Sequence, residues 1–178
     1  MKNIELRMYG LVPYQLTGIQ QAIQFGHAIV EYGESVKNNP GELKIYEDWA
    51  KNWKTFIILN GGTISDKLIN DVSLPDSGDN SPCILQGTLN RHAKTLKDMG
   101  IVTAEFREPD LGDQLTAVVF LVDENVFKIP NQREYMRENG SYTLGSKSKS
   151  EVALECRIKE YGKENVEMRD FLDMFKLA

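Results

Sequence analysis

Four short segments with the residue types of strands, separated by stretches of helical period, constrain this chain more than any other feature. Ile4 to Val12 (IELRMYGLV) alternates in part, as a strand does, and Pro13 ends it. Lys54 to Leu59 (KTFIIL) reads as a buried strand closed by the turn-forming Asn60-Gly61-Gly62. Ile101 to Phe106 and Leu115 to Val122 are two further strands, flanking the acidic loop REPDLGDQ. Between the strands lie a helix introduced by Thr17-Gly18, a second over Glu42 to Trp53, and a third over Leu85 to Met99 that stops at Gly100. The second places Leu43, Tyr46, Trp49 and Ala50 at helical spacing. Strands alternating with helices predict an α/β fold whose sheet is covered on its faces.

Residues 73–82 (SLPDSGDNSP) have the composition of a loop, and no internal repeat is visible. Beyond Phe127 the chain turns polar, with Gly140, Gly145 and the run SKSKS. Two short helices are expected after it, Glu151 to Tyr161 and Val166 to Leu177. Met168, Phe171, Leu172 and Phe175 form an i, i+3, i+4, i+7 stripe, read first as docking on the protein's own core. The expected organisation is one α/β domain over residues 1–127 and a partly helical C-terminal extension over 128–178.

A chain of 178 residues buries about 70% of its unfolded surface and needs no disulfide or metal staple. Cys83 and Cys156 fit no zinc spacing, and no apolar run approaches the roughly 20 residues that span a bilayer. The N-terminal stretch lacks the pattern of a signal peptide, so a reduced, cytoplasmic setting is the expectation, with no membrane partner. Net charge is −5, which does not advertise nucleic-acid binding. Residues 1–124 hold 11 Lys and Arg against 17 Asp and Glu, while residues 125–178 hold 10 against 9.

The helix after Thr17 carries the first candidate constellation. At about 100° per residue, Ile19, Ala22, Ile23, Gly26 and Val30 share one face and read as the core stripe. Gly26 at its centre costs roughly 1 kcal/mol relative to alanine, so close packing of Gly26 on the sheet is expected. Gln20, Gln24, His27 and Glu31 form a continuous polar row roughly 110° round, with Phe25, Ile29 and Tyr32 on the other flank. Such a row is either a helix edge meeting water or the wall of a cleft.

The second constellation is REPDLGDQLT, where Glu108, Asp110 and Asp113 crowd a turn stiffened by Pro109. Carboxylates at a strand end either solvate a turn, orient an imidazole or bind a cation. With only His27 and His92 in the chain, a zinc site of the usual kind is not expected, and no metal or cofactor is assigned.

Together these residues resemble the type 2 peptidyl-tRNA hydrolases. That family's helix carries K-x-A-A-Q-x-x-H-A, and Gln20-Gln21-Ala22-Ile23-Gln24-Phe25-Gly26-His27-Ala28 matches it at Ala22, Gln24, His27 and Ala28. Phe106-Arg107-Glu108-Pro109-Asp110 and Thr116-Ala117-Val118-Val119 sit where the family has an acidic loop and a strand threonine. The resemblance covers roughly residues 1–127. It implies a mixed four-stranded sheet with helices on both faces, and hydrolysis of the ester joining a peptide or acylated amino acid to tRNA. By the same resemblance His27 would activate water or move a proton, Glu108 or Asp110 would orient that imidazole, and Gln20, Gln24 and Thr116 would bind substrate. His27 is then expected within hydrogen-bonding reach of the REPD loop. The motif lysine is replaced by Gln20, which removes a charge for phosphate or oxyanion. The partner implied is tRNA or another acyl ester, and a homodimer is left open. The alternative is a non-catalytic binding or interaction module on the same fold.

Overall fold

A computed structural model of the protein describes residues 4–64, 88–139 and 148–178, together with the backbone of 67–69 and 83–85. The fold is α/β, built on a mixed four-stranded sheet. Strand β1 (Leu6–Pro13) lies inside the sheet, parallel to β2 (Thr55–Gly62) and antiparallel to β6 (Gln114–Asp123). Strand β5 (Thr103–Glu108) pairs antiparallel with the far side of β6, giving the order β2-β1-β6-β5. A separate two-stranded ribbon pairs β3 (Lys67–Ile69) with β4 (Cys83–Leu85). The ribbon was not expected, and Leu85 belongs to it and not to the third helix. The loop read over 73–82 lies outside the described residues.

Both faces of the sheet are covered, because period-2 alternation sends apolar side chains to each. On one face Leu6, Met8 and Val12 of β1 and Ala117 and Val119 of β6 meet α1 (Gly18–Val36). The buried Trp49 joins them from the wide helical turn Trp49–Trp53, which continues α2 (Pro40–Asp48). On the other face Tyr9, Leu11, Val118, Phe120 and Val122 meet α3 (Thr88–Asp98) and α7 (Lys163–Leu172). A short helix, α4 (Glu124–Phe127), follows β6, and α5 (Gln132–Asn139) and α6 (Lys149–Tyr161) precede α7. Arg157 of α6 is fully buried and lies 2.8 Å from Asp170 of α7, although its nitrogens complete no hydrogen bond among the described residues. No helix among the described residues is long and apolar enough to cross a membrane.

The C-terminal stripe docks on the protein's own core, as its spacing suggested. Met168, Phe171 and Leu172 are buried and Phe175 packs beside them. The chain end then adds to the edge of the sheet. Asn60 donates to the Lys176 carbonyl at 2.9 Å, and Ala178 donates to the Ile58 carbonyl at 3.0 Å. Pairing of this kind covers part of an otherwise open strand edge.

Helix α1 requires a correction. Its buried face is Gln24, Phe25, Ala28, Tyr32 and Val36. The stripe read as core faces solvent, with Ile19 77%, Ile23 50% and Val30 62% exposed. Gly26 packs against nothing: a Cβ built there meets no atom within 4 Å. The close approach is at Gly10 of β1, where a Cβ would fall 2.2 Å from the Phe25 ring. The helix is apolar over most of its circumference, so periodicity alone does not choose the face. Ring size does, since an aromatic side chain buries about 150–250 Å², and Gly10 and Ala28 leave the hollow that Phe25 and Tyr32 fill.

Two predictions follow from this packing. Gly10→Ala is expected to destabilise by about 1–3 kcal/mol through overpacking, whereas Gly26→Ala should be neutral or stabilise by up to about 1 kcal/mol. Urea midpoints read both, and the reverse order would contradict this placement of α1. The second concerns His92 of α3, half-buried and edge-on to Phe171 and Phe175 with ring centroids 6.0 and 4.8 Å away. Burial first, and the nearby Arg91 charge second, hold its imidazole below the ordinary value of 6.5. The unfolded chain therefore binds more protons between the folded and unfolded values. Stability should be full above about pH 6.5 and fall as pH drops through that window. His92→Phe should remove this step from unfolding curves recorded between about pH 5 and 8.

Candidate functional site

The rotation of α1 that seats Phe25 carries Gln24 to the edge of the buried face and leaves Gln20, His27 and Glu31 exposed. Helix α1 starts at a capping box. Thr17 Oγ1 accepts from the Gln20 amide at 3.4 Å, and Gln20 Oε1 accepts from the Thr17 amide at 3.0 Å. The Gln20 side chain is thus engaged in starting the helix.

Opposite Gln24, the β5–β6 ladder breaks register. Phe106 faces Ala117 and Arg107 faces Leu115, so Thr116 is the extra residue of a bulge on β6. Strict alternation would send Thr116 to the α3 face, together with Val118. The bulge turns it toward α1 instead, a common use of such irregularities.

Thr116 is fully buried and donates from Oγ1 to Gln24 Oε1 at 2.6 Å. Gln24, 7% exposed, donates from Nε2 to Glu108 Oε2, also at 2.6 Å. A carboxylate only accepts, so Glu108 fixes which end of the amide faces it, and the hydroxyl must then be the donor on the other side. The remaining Glu108 oxygen accepts from the Asp110 backbone amide at 3.5 Å, where the chain turns through Pro109–Leu111. A second acceptor, the Phe106 carbonyl, lies 3.2 Å from the threonine hydroxyl. The result is a continuous chain, Thr116 to Gln24 to Glu108, running from the interior to the surface.

His27 lies one helical turn beyond Gln24. Its exposed ring stacks on Phe106, with centroids 4.5 Å apart and planes 16° apart. Among the described residues it makes no hydrogen bond or ion pair, so the expected link from the imidazole to the REPD loop is not formed here. The Asp110 side chain is exposed and takes no part in the network. The structure thus brings together Gln24, Thr116 and Glu108, sets His27 beside them on Phe106, and engages Gln20 in the cap. Phe106 is the residue that reading the sequence passed over. It stood in the quoted loop segment, but nothing in a strand pattern marks it as a platform for an imidazole.

Chemically, the surface end of this arrangement offers a carboxylate held in one orientation and an imidazole held in one plane. The interior end is closed to solvent and positions the rest. Among the described residues no three His, Cys, Asp or Glu side chains converge as a metal would need.

A double-mutant cycle tests the network. Gln24→Leu and Thr116→Val should each cost about 1–3 kcal/mol, by leaving a buried polar group without its partner. Together they should cost less than the sum, with a coupling of about 0.5–3 kcal/mol. Additive effects in urea unfolding would mean that the two side chains do not hold one another.

No family model matches the chain, and no curated protein shows a significant match.

Proposed function

We propose that this protein is an acyl-ester hydrolase of the type 2 peptidyl-tRNA hydrolase kind, acting at the surface end of the Thr116–Gln24–Glu108 chain. The observation that supports the reading best is convergence: residues 24, 108 and 116 are distant in sequence yet joined by two bonds of 2.6 Å, with His27 alongside. In this reading His27 takes a proton from the attacking water and returns it to the leaving ribose hydroxyl. Glu108, which is not bonded to His27 here, is the carboxylate this reading assigns beside it, since Gln24 holds Glu108 in place and Asp110 closes the turn through its backbone. A mixed four-stranded sheet with helices on both faces agrees with the architecture the resemblance implies.

Gln20 limits how well tRNA would be held. A hydrogen bond to a charged group contributes about 1.5–3 kcal/mol, against about 1 for a neutral pair, and here the glutamine is already occupied in the cap. The same fact favours a second reading, a non-catalytic binding module on this fold. The amides of both Gln20 and Gln24 are bonded within the chain, as they would be if their role were to stabilise it.

Incubation of the purified chain with N-acylated aminoacyl-tRNA separates the two readings. Turnover should fall by about 10²–10⁴ in His27→Ala, the usual worth of a general acid–base group. The fold should be unchanged, because the histidine is exposed. Gln20→Lys should cost about 0.5–1.5 kcal/mol of stability, because it removes the side-chain half of the capping box while Thr17 still accepts from the backbone amide of residue 20. It should also steepen the salt dependence of tRNA binding by nearly one counterion. Absence of turnover in both the parent and Gln20→Lys would decide for the binding module.

A further inference from the structure

The end of the sheet away from Gln24 carries a groove of about 820 Å³. Thr116 lies near the start of β6 at the candidate site, whereas the groove takes Leu121 and Asp123 from the other end of the same strand. It also takes Leu6 from the start of β1, and α2 forms its outer wall. Tyr32 lies about 12 Å along α1 from Gln24, eight residues at 1.5 Å each, so the groove is a separate place.

Its surface is more apolar than polar. Leu6, Leu121 and Ile101 form the floor, and Ile4, Ile45 and Val102 stand exposed around it at 43%, 41% and 37%. Three exposed aliphatic side chains converging on one hollow are unlike apolar residues scattered singly over a surface, and such convergence marks binding sites. The volume falls within the roughly 300–1,000 Å³ usual for small-molecule sites.

The rim is charged with one sign in excess. Glu42, Glu47, Asp48 and Asp123 stand on it against Lys44 and Lys51. Two of these acids have local work: Asp48 accepts from Asn52 and Trp53, and Asp123 caps the turn at Asn125. Glu42 and Glu47 accept no side-chain hydrogen bond among the described residues. Tyr32, buried at the base, is held well above its ordinary value by burial and then by the Glu42 charge, so its phenol stays neutral. The whole chain, at −5, adds to the field that a cation meets.

We infer that this groove is a binding site for a small amphipathic amine, its aliphatic or aromatic body on the Leu6, Ile101 and Leu121 floor and its ammonium against Glu42 and Glu47. Apolar burial supplies the affinity, and the acid surplus selects the charge. An anion of the same shape meets the same floor and a repulsive rim.

The test uses three probes of one chain length, octylammonium and octanoate below their micellar concentrations and 1-octanol below its solubility limit. Each is titrated into the full chain and followed by methyl NMR. Resonances of Ile45, Val102 and Ile101 should move, with octylammonium binding about three- to tenfold more tightly than octanoate and octanol between them. Ile45→Asn, at an exposed position, should weaken all three alike. Glu42→Gln combined with Glu47→Lys should remove or invert the order while leaving octanol unchanged. Shifts confined to residues outside the groove, equal binding of the cation and the anion, or an order untouched by the charge-altering pair would each overturn the assignment.

Discussion

The contact of the Phe25 ring with the bare backbone of Gly10 sets the rotation of α1, and much else depends on that rotation. With the ring over Gly10, Ala28 and Tyr32 follow it onto the sheet and Gln24 arrives opposite the β5–β6 ladder. His27, three residues on, then meets Phe106. Turning the helix to bury Ile23 and Val30 would carry Phe25 and Tyr32 into solvent, forfeiting about 1.5–3 kcal/mol for each ring exposed. It would also pull Gln24 away from Thr116. The core packing and the candidate site are thus consequences of one choice of face.

The second constraint is that polar groups brought inside must be satisfied. A bulge alone would bury the Thr116 hydroxyl toward α1 with only the Phe106 carbonyl to receive it. Gln24 supplies a better-placed acceptor and passes the orientation outward to Glu108. Low dielectric makes such a chain strong when complete and costly when broken. The same network therefore serves stability and fixes a carboxylate at the surface, which is why a catalytic reading and a structural one both arise from it.

Much of the architecture was legible. The four sheet strands announced themselves by composition and by the turns that close them, and the Met168–Phe175 stripe identified the face that docks. The ribbon of β3 and β4 was not legible, because three-residue strands carry too short a pattern to stand out from the polar stretch around them. On α1 the period was right and the face was wrong. Ile19, Ala22, Ile23 and Val30 make as regular a stripe as Phe25, Ala28, Tyr32 and Val36, and only the hollow at Gly10, on another element, breaks the tie. The site was legible as residue types in a row, but its wiring depended on a bulge. One extra residue in β6 redirects Thr116, and no local feature of LTAVV shows that a register shift occurs there. Gln20 shows the converse: it was read for the charge it lacks, while the signal of its actual bonds, a threonine three residues before it, stood in the sequence as a capping box.

The rotation of α1, on which the core packing and the candidate site both depend, is measured most directly by nuclear Overhauser contacts in the full chain. Cross-peaks between the Phe25 ring protons and the Gly10 α-protons, with others between the Gln24 side-chain amide and the Thr116 methyl, are the predicted result. Cross-peaks joining the methyl groups of Ile23 or Val30 to the β1 and β6 backbone would contradict it, and the site described above would then not exist in that form.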